Sequence, residues 1–517
     1  MKQKILSILL SMLILLAALP ALSLAEAENS RVSDEKITLK VWMQIGANQL
    51  GNMKDYGESE AWQKIEELTN VHIEWIHPTT GSEKESFNLM FASDDLPDII
   101  VTTKDYQYSA GPEAAVEDGY YLDITNLAKE YAPNYMKILD ENPDVAKMSV
   151  TDSGLRWGFN WMYKDGKKGN SGLGIRKDFL DRVGMDVPVT YDDWHRVLTA
   201  FKDELGIEAP FFLYYKGVSE DSELLAGYGV GRDFYQVDGK VKYGPVEPGY
   251  KEYLDMMRTW YAEGLIDHDF ALRPSSDPDD DLVLNDKIGA WRTPATWCGG
   301  YYITRGATNP DFNLVGAPVP VKNVGDETHI RNVDLKISGW VFAINALTEH
   351  PVECVKWLDF LYGEEGSFIT NYGAREGESY VRQADGTYRW GELITKNPDG
   401  MTQNEARTRY TTLNAPYEDY TRVSTAWTPV QAQAQQVWTA SKDDWCIPTA
   451  VIMLADENKQ FASIMADIET YVSEFTIKYI MGVSTVDYDT YLAQVNSMGI
   501  DAAIALKQAA LDRFNAR

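Results

Sequence analysis

Between Gly172 and Glu204 the sequence runs GLGIRKDFLDRVGMDVPVTYDDWHRVLTAFKDE, and few architectures accept it. A short apolar alternation, Leu173 and Ile175, turns at Arg176 and Lys177 into a short helix carrying Phe179, Leu180 and Val183. Gly184 ends that helix, since a left-handed C-terminal cap brings no Cβ clash at glycine. Pro188 then breaks the chain. Thr190 offers an N-cap with Asp193 at capping-box spacing, and Trp194, Val197, Leu198 and Phe201 recur at i, i+3, i+4 and i+7. The order is strand, short helix, turn, amphipathic helix.

The preceding part of the chain is of the same kind. Residues 37–43 (ITLKVWM) alternate like a strand, Trp62, Ile65 and Leu68 space like a helix, and VHIEWI (71–76) alternates again. Residues 85–91 lead into FASDDLPDIIVT, where Leu96-Pro97-Asp98 is a turn feeding a buried run, Ile99 to Val101. Two strand–helix–strand units in succession argue for an open α/β sheet. At 517 residues the chain exceeds the roughly 250–300 at which one core stops growing, so two lobes or more are expected. In open α/β sheets, ligands sit beyond the carboxyl ends of strands. Asp105 and Tyr106, in the Thr102–Tyr106 segment after such an end, are therefore lining candidates, and Gln44, just past the first strand, is taken with them. The competing reading of 102–106 is an ordinary solvated loop.

Several segments resemble one family. GLGIRKDFLDRVG followed by PVTYDDW is similar to the hinge-strand region of extracellular solute-binding proteins of carbohydrate ABC importers, in their large Gram-positive subfamily. FASDDLPDII is similar to that family's A/L-S-G-D-x-P-D-I/V, with Asp94 where glycine is usual, and EDGYYLDIT (117–125) to its lobe-edge segment. IGAWRTPATWCGGYY (288–302) resembles its strand and aromatic turn, and residues 334–366 its second hinge crossing with a helix begun at Pro351. NYGAREGESY (371–380) is similar to N-Y-G-x-E-G-x-x-Y with one residue added. ETYVSEFTIKYIMG and LAQVNSMGIDAAIALKQAALDRF resemble the closing helices, so similar segments extend from about 37 to 516, with unmatched loops around 218–250 and 380–445.

The resemblance implies an α/β, two-lobed periplasmic-binding-protein-like fold (type II), each lobe a mixed sheet flanked by helices, with extra C-terminal helices. It implies an N-terminal lobe of 30–172 plus about 340–390, and a C-terminal lobe of 173–335 plus about 391–517. Hinges fall near 172–177 and 335–344. Met1 to Ala25 reads as a secretory signal: Lys2 and Lys4, an apolar run from Ile5 to Leu19, and a small-x-small site at Ser23-Leu24-Ala25. A membrane anchor needs about 20 apolar residues, and Pro20 argues against one. The family's lipobox cysteine is missing there, so a secreted or cell-surface-associated protein without that lipid anchor is expected.

A formal charge of −30 argues against binding nucleic acid or anionic membrane through a general field. Cys298, Cys354 and Cys446 are too few for a disulfide scaffold and show no zinc spacing. Cys354, on an apolar helix face, reads as a buried thiol, while a Cys298–Cys446 bridge stays open. SSDPDDDLVLNDK (275–287) is acidic, but without the EF-hand glycine and closing glutamate it reads as a solvated linker. No metal or cofactor is expected.

Aromatic residues supply the remaining site candidates. Trp157 and Trp161, with Phe159 and Tyr163, cluster in an irregular setting, and Tyr214 and Tyr215 end an apolar run. Such rings pack on the apolar face of a pyranose while their polar edges serve hydroxyls, although a core cluster is the alternative for each. The resemblance singles out Trp297, in a turn where the family stacks a Trp on sugar, with Trp291, Tyr301 and Tyr302 behind it, and Trp340 beside the second crossing. Packing is the alternative here too.

The function implied is capture of an oligosaccharide between two lobes and delivery to the membrane permease subunits of an ABC importer, by a monomer that performs no catalysis and binds no nucleic acid. Tyr outnumbering Phe, 30 to 16, with 15 Trp, suits a polar-edged aromatic site. One alternative keeps the fold and binds a peptide, polyamine or organic ion: an anion would need Arg176 or Arg292, a cation an acid such as Asp105. The other is a secreted polysaccharide-active enzyme, yet no GxSxG elbow or metal motif occurs, and among 78 acidic residues no carboxylate pair stands out.

Overall fold

The computed structural model describes residues 30–46, 53–93, 95–103, 107–217, 223–275, 277–412, 415–424 and 426–517. The expected secretory signal, Asp105 and Tyr106 lie outside the described residues. The chain divides into two compact units, residues 1–165 with 337–422, and 166–336 with 423–517.

In the first unit β1 (Ile37–Trp42), β2 (Val71–Ile76) and β3 (Ile99–Thr102) are parallel, with β1 between the other two. The helix Glu60–Thr69 joins β1 to β2, buries Ala61, Trp62 and Ile65, and ends on Asn70 in the left-handed region. After a run of short helices comes β4 (Phe159–Lys167), within which the chain passes to the second unit.

The second unit opens with β5 (Ser171–Arg176) and the helix Lys177–Val183, capped by Gly184 at φ 66°. The helix Tyr191–Asp203 follows. Thr190 Oγ1 accepts from the Asp193 N–H at 3.1 Å while Asp193 Oδ2 accepts from the Thr190 N–H at 2.9 Å, so the capping box is closed in both directions. Its apolar face buries Trp194, Val197, Leu198 and Phe201 as the spacing predicts. Then come β6 (Ala209–Phe211), the hairpin β7 (Phe234–Val237) and β8 (Lys240–Tyr243), β9 (Ile288–Pro294) and β10 (Leu314–Gly316). The sheet order is β10-β5-β9-β6, with β5 antiparallel to both neighbours. Of the closing helices, Ala455–Ile480 brings Met465, Ile468, Val472 and Phe475, and Ile500–Ala516 brings Ile500 and Ala503, into the core that holds Trp194.

β11 (Leu335–Ile344) returns to the first unit, antiparallel to β3 with Val341 opposite Thr102. A hairpin, β12 (Tyr380–Arg382) and β13 (Tyr388–Trp390), precedes β14 (Tyr417–Asp419), which lies parallel to β4. The six-stranded order is β14-β4-β11-β3-β1-β2.

Two expectations are corrected and one open alternative is closed. Residues 391–422 were expected with the second lobe but belong to the first unit, because β14 extends its sheet and buried Arg422 donates to the carbonyls of Asn371 and Thr412. The acidic stretch expected as a linker carries a helix, Asp280–Leu284, and its carboxylates are engaged: Asp279 with Arg273, Asp280 with Arg305, Asp286 with Arg176. All three cysteines are free thiols, Cys354 fully buried, so Cys298 and Cys446 are unbridged.

Candidate functional site

In the first unit the carboxyl ends of β1, β2 and β3 lead to Gln44, His77 and Thr103. Gln44 is half-buried, and its carbonyl accepts from the Tyr56 hydroxyl at 3.1 Å. His77 had escaped the sequence reading. Its Nδ1 lies 2.7 Å from the Met43 carbonyl and therefore carries the proton, leaving Nε2 as an acceptor with no donor among the described residues. Burial holds its pKa below the usual histidine value, against the opposing pull of the Met43 carbonyl. Nothing in sequence spacing marks it.

β11 runs against β3, so its Trp340 reaches the same edge of the sheet. Trp161, on neighbouring β4, meets Trp340 edge to face with ring centroids 5.4 Å apart. Trp161 is only 6% exposed and its indole N–H finds no acceptor among the described residues. Trp157 is placed differently: it stacks on Tyr121 at 5.8 Å and packs against the cluster of Trp42, Phe91 and Ile100.

In the second unit the turn Ala295–Trp297 follows the carboxyl end of β9. Trp297 is half-buried and lies parallel to Tyr301, centroids 6.0 Å apart at 13°, with Tyr302 edge-on to both. Arg305 covers Tyr301 and donates to its hydroxyl at 3.2 Å. Tyr214 and Tyr215 follow β6, and Tyr214 borders a hollow with Leu173, Glu223 and Arg292. Lys216 stands over Tyr215.

Two candidates change character. Trp291 is wholly buried among Ile288, Leu314 and Trp438, because it falls on the inner face of a central strand, so it is a core residue. Arg176 is also wholly buried: it donates to Asp178 and Asp286, both at 2.6 Å through one nitrogen, and is sandwiched between Phe179 and Phe312 at 3.9 Å each. It is a structural cation, and an anionic ligand does not reach it.

Among the described residues no group of three or more His, Cys, Asp or Glu is arranged to hold a metal ion. No described helix is long and apolar enough to cross a membrane.

Two α/β units, each a mixed sheet flanked by helices with aromatic and polar side chains past its strand ends, define a protein of the two-lobed binding class. The family model described as bacterial extracellular solute-binding protein matches residues 51–367, more than half of the chain, and the chain belongs to that family. Among relatives, the fructooligosaccharide ABC transporter substrate-binding protein FusA of Streptococcus pneumoniae serotype 4 is 26% identical over 527 residues, spanning 93% of this chain and 91% of its own. Among solved structures, alginate-binding protein AlgQ2 superposes with a TM-score of 0.73 at 22% identity, over 93% of this chain and 99% of that one. An HMO-binding, ABC-transporter-associated solute-binding protein of Bifidobacterium longum infantis gives 0.74 at 18% identity, over 93% and 99%. The fold is thus the two-lobed solute-binding fold, with additional C-terminal helices.

Proposed function

We propose that this protein works outside the cell, captures an oligosaccharide and delivers it to the permease subunits of an ABC importer, as a monomer that leaves its ligand chemically unchanged. The observation that carries the proposal is two aromatic pairs, Trp161 with Trp340 on neighbouring strands and Trp297 with Tyr301 just after β9. Their flat apolar faces match the C–H face of a sugar ring, and their polar edges match its hydroxyls. The relative FusA, similar along nearly the whole chain, is named for fructooligosaccharides, which supports a carbohydrate ligand. Burial of Arg176 weakens the anionic-solute alternative. The hinges in this proposal lie where the chain passes between units, at 165/166, 336/337 and 422/423.

The test is thermal unfolding of the protein lacking residues 1–25 against neutral and acidic oligosaccharides, with peptides and polyamines as controls. Ligand at about 100 times its Kd adds roughly 2.7 kcal/mol. A shift with sugars alone supports the proposal; a shift with peptides or polyamines alone contradicts it.

A further inference from the structure

One charged pair sits where two hollows of the second unit meet. Arg292, on β9, donates through Nε to Glu223 Oε1 at 3.1 Å. The guanidinium keeps 29% of its side-chain exposure while the carboxylate keeps 6%. Both residues border the apolar hollow beside Tyr214 and also a polar cleft of about 270 Å³. The pair is therefore a wall common to an aromatic, apolar surface and a polar one.

The cleft is rich in arginine without being an anion site. Arg331 is bound to Asp334 at 2.9 Å and to Asp443 at 3.3 Å. Arg232 enters the lining together with Asp233, and Arg292 is matched by Glu223. A ligand carboxylate arriving here finds Arg331 already paired with two carboxylates, and to take Arg292 it must strip Glu223 of its partner in a nearly buried position. Breaking one side of such a pair is strongly unfavourable. A pair of sugar hydroxyls has no such conflict: one oxygen accepts from Arg292 while its neighbour donates to Glu223, and both bonds are charge-assisted.

We infer that the Glu223–Arg292 pair selects neutral oligosaccharides and rejects uronic-acid ones. This rests on the oligosaccharide proposal and narrows it to a substrate class. Glu223 is the discriminating group, because it supplies the repulsion that specificity requires in addition to attraction.

The experiment measures affinity by calorimetry for kestose, nystose, xylotriose, mannotriose and maltotriose against trigalacturonate and trimannuronate. The wild-type protein, Glu223→Gln and Arg292→Gln are compared, with unfolding midpoints confirming that each is folded. The wild type is expected to bind a neutral sugar and no uronate. Glu223→Gln, which removes the negative charge beside the guanidinium, is expected to lose about tenfold for the neutral sugar and to gain measurable uronate binding; Arg292→Gln loses the neutral sugar without that gain. Uronates bound by the wild type as tightly as neutral sugars overturn the inference alone, as does an unchanged preference in a folded Glu223→Gln. Failure of every sugar with the wild type overturns the oligosaccharide proposal and the inference with it.

Discussion

Trp161 and Trp340 meet edge to face across neighbouring strands of the first unit, centroids 5.4 Å apart, and the Trp161 N–H has no acceptor among the described residues. An unsatisfied buried donor costs about 1–3 kcal/mol. On the proposed function, a ligand oxygen that accepts from this N–H would relieve that cost.

Trp161→Phe separates the donor from the ring. The variant also loses part of the buried ring, so the unliganded protein is expected to lose about 1–3 kcal/mol through the cavity left behind. Oligosaccharide affinity falls by about tenfold. Calorimetric titration beside a urea melt checks both; unchanged affinity means the N–H does not serve the ligand.

Trp297→Ala removes one ring of the Trp297–Tyr301 stack. If that face carries sugar, truncation costs about 2 kcal/mol of binding, roughly thirtyfold. Because Trp297 is half-buried, some stability is lost too, so the binding loss is read at a temperature where the variant is fully folded.

Arg176→Met tests the structural cation. Losing it leaves the buried Asp178 carboxylate, still hydrogen-bonded by the Asn309 amide and the Asn313 N–H, without its compensating cation, and takes the same cation from Asp286. The expected cost is about 3–5 kcal/mol of unfolding free energy, seen as a lower urea midpoint. Preserved stability would mean the two acids find other partners.

Asp359 gives a pH signature. Its carboxylate caps the helix Pro133–Glu141, accepting from the Tyr135 N–H at 2.8 Å and from Asn134 at 2.9 Å. Burial raises its pKa to about 6, these hydrogen bonds opposing the rise. A carboxyl whose folded pKa is raised binds its proton more tightly folded than unfolded. Its stabilising contribution is full below about pH 4 and lost as pH rises through about 6. Asp359→Asn lacks that titration, so the wild type is expected to lose stability relative to the variant by up to about 3 kcal/mol between those values. A parallel pair of stability–pH curves would contradict this.

What could be read before folding was what local physics writes into local sequence. The Thr190–Asp193 box, the Gly184 cap and the i, i+3, i+4, i+7 face of Trp194 to Phe201 formed as spaced, because each depends on a few neighbouring residues. β14 was missed because three residues pairing with a strand more than 250 positions earlier carry no period of their own. Its surroundings did hold a signal: Thr402 with Glu405 and Thr428 with Gln431 are capping boxes in the stretch passed over as loop. Among the site residues, Trp297 and Trp291 share one motif, yet strand alternation turned Trp291 into the core and left Trp297 in a turn. Arg176, named only as an arginine that an anionic ligand would need, is buried against Asp286, a partner 110 residues away that local sequence does not reveal. Glu223 gave no sign at all, its meaning arising only where a loop meets Arg292.

The central claim is capture without chemistry, and the most direct measurement is calorimetric titration of the protein with an oligosaccharide that raises its unfolding midpoint, followed by mass analysis of the sugar released on denaturation. The account predicts saturable binding, one ligand per chain, and full recovery of the sugar at its original mass. Recovery of shortened products, growing with incubation time, would contradict it and make the protein an enzyme.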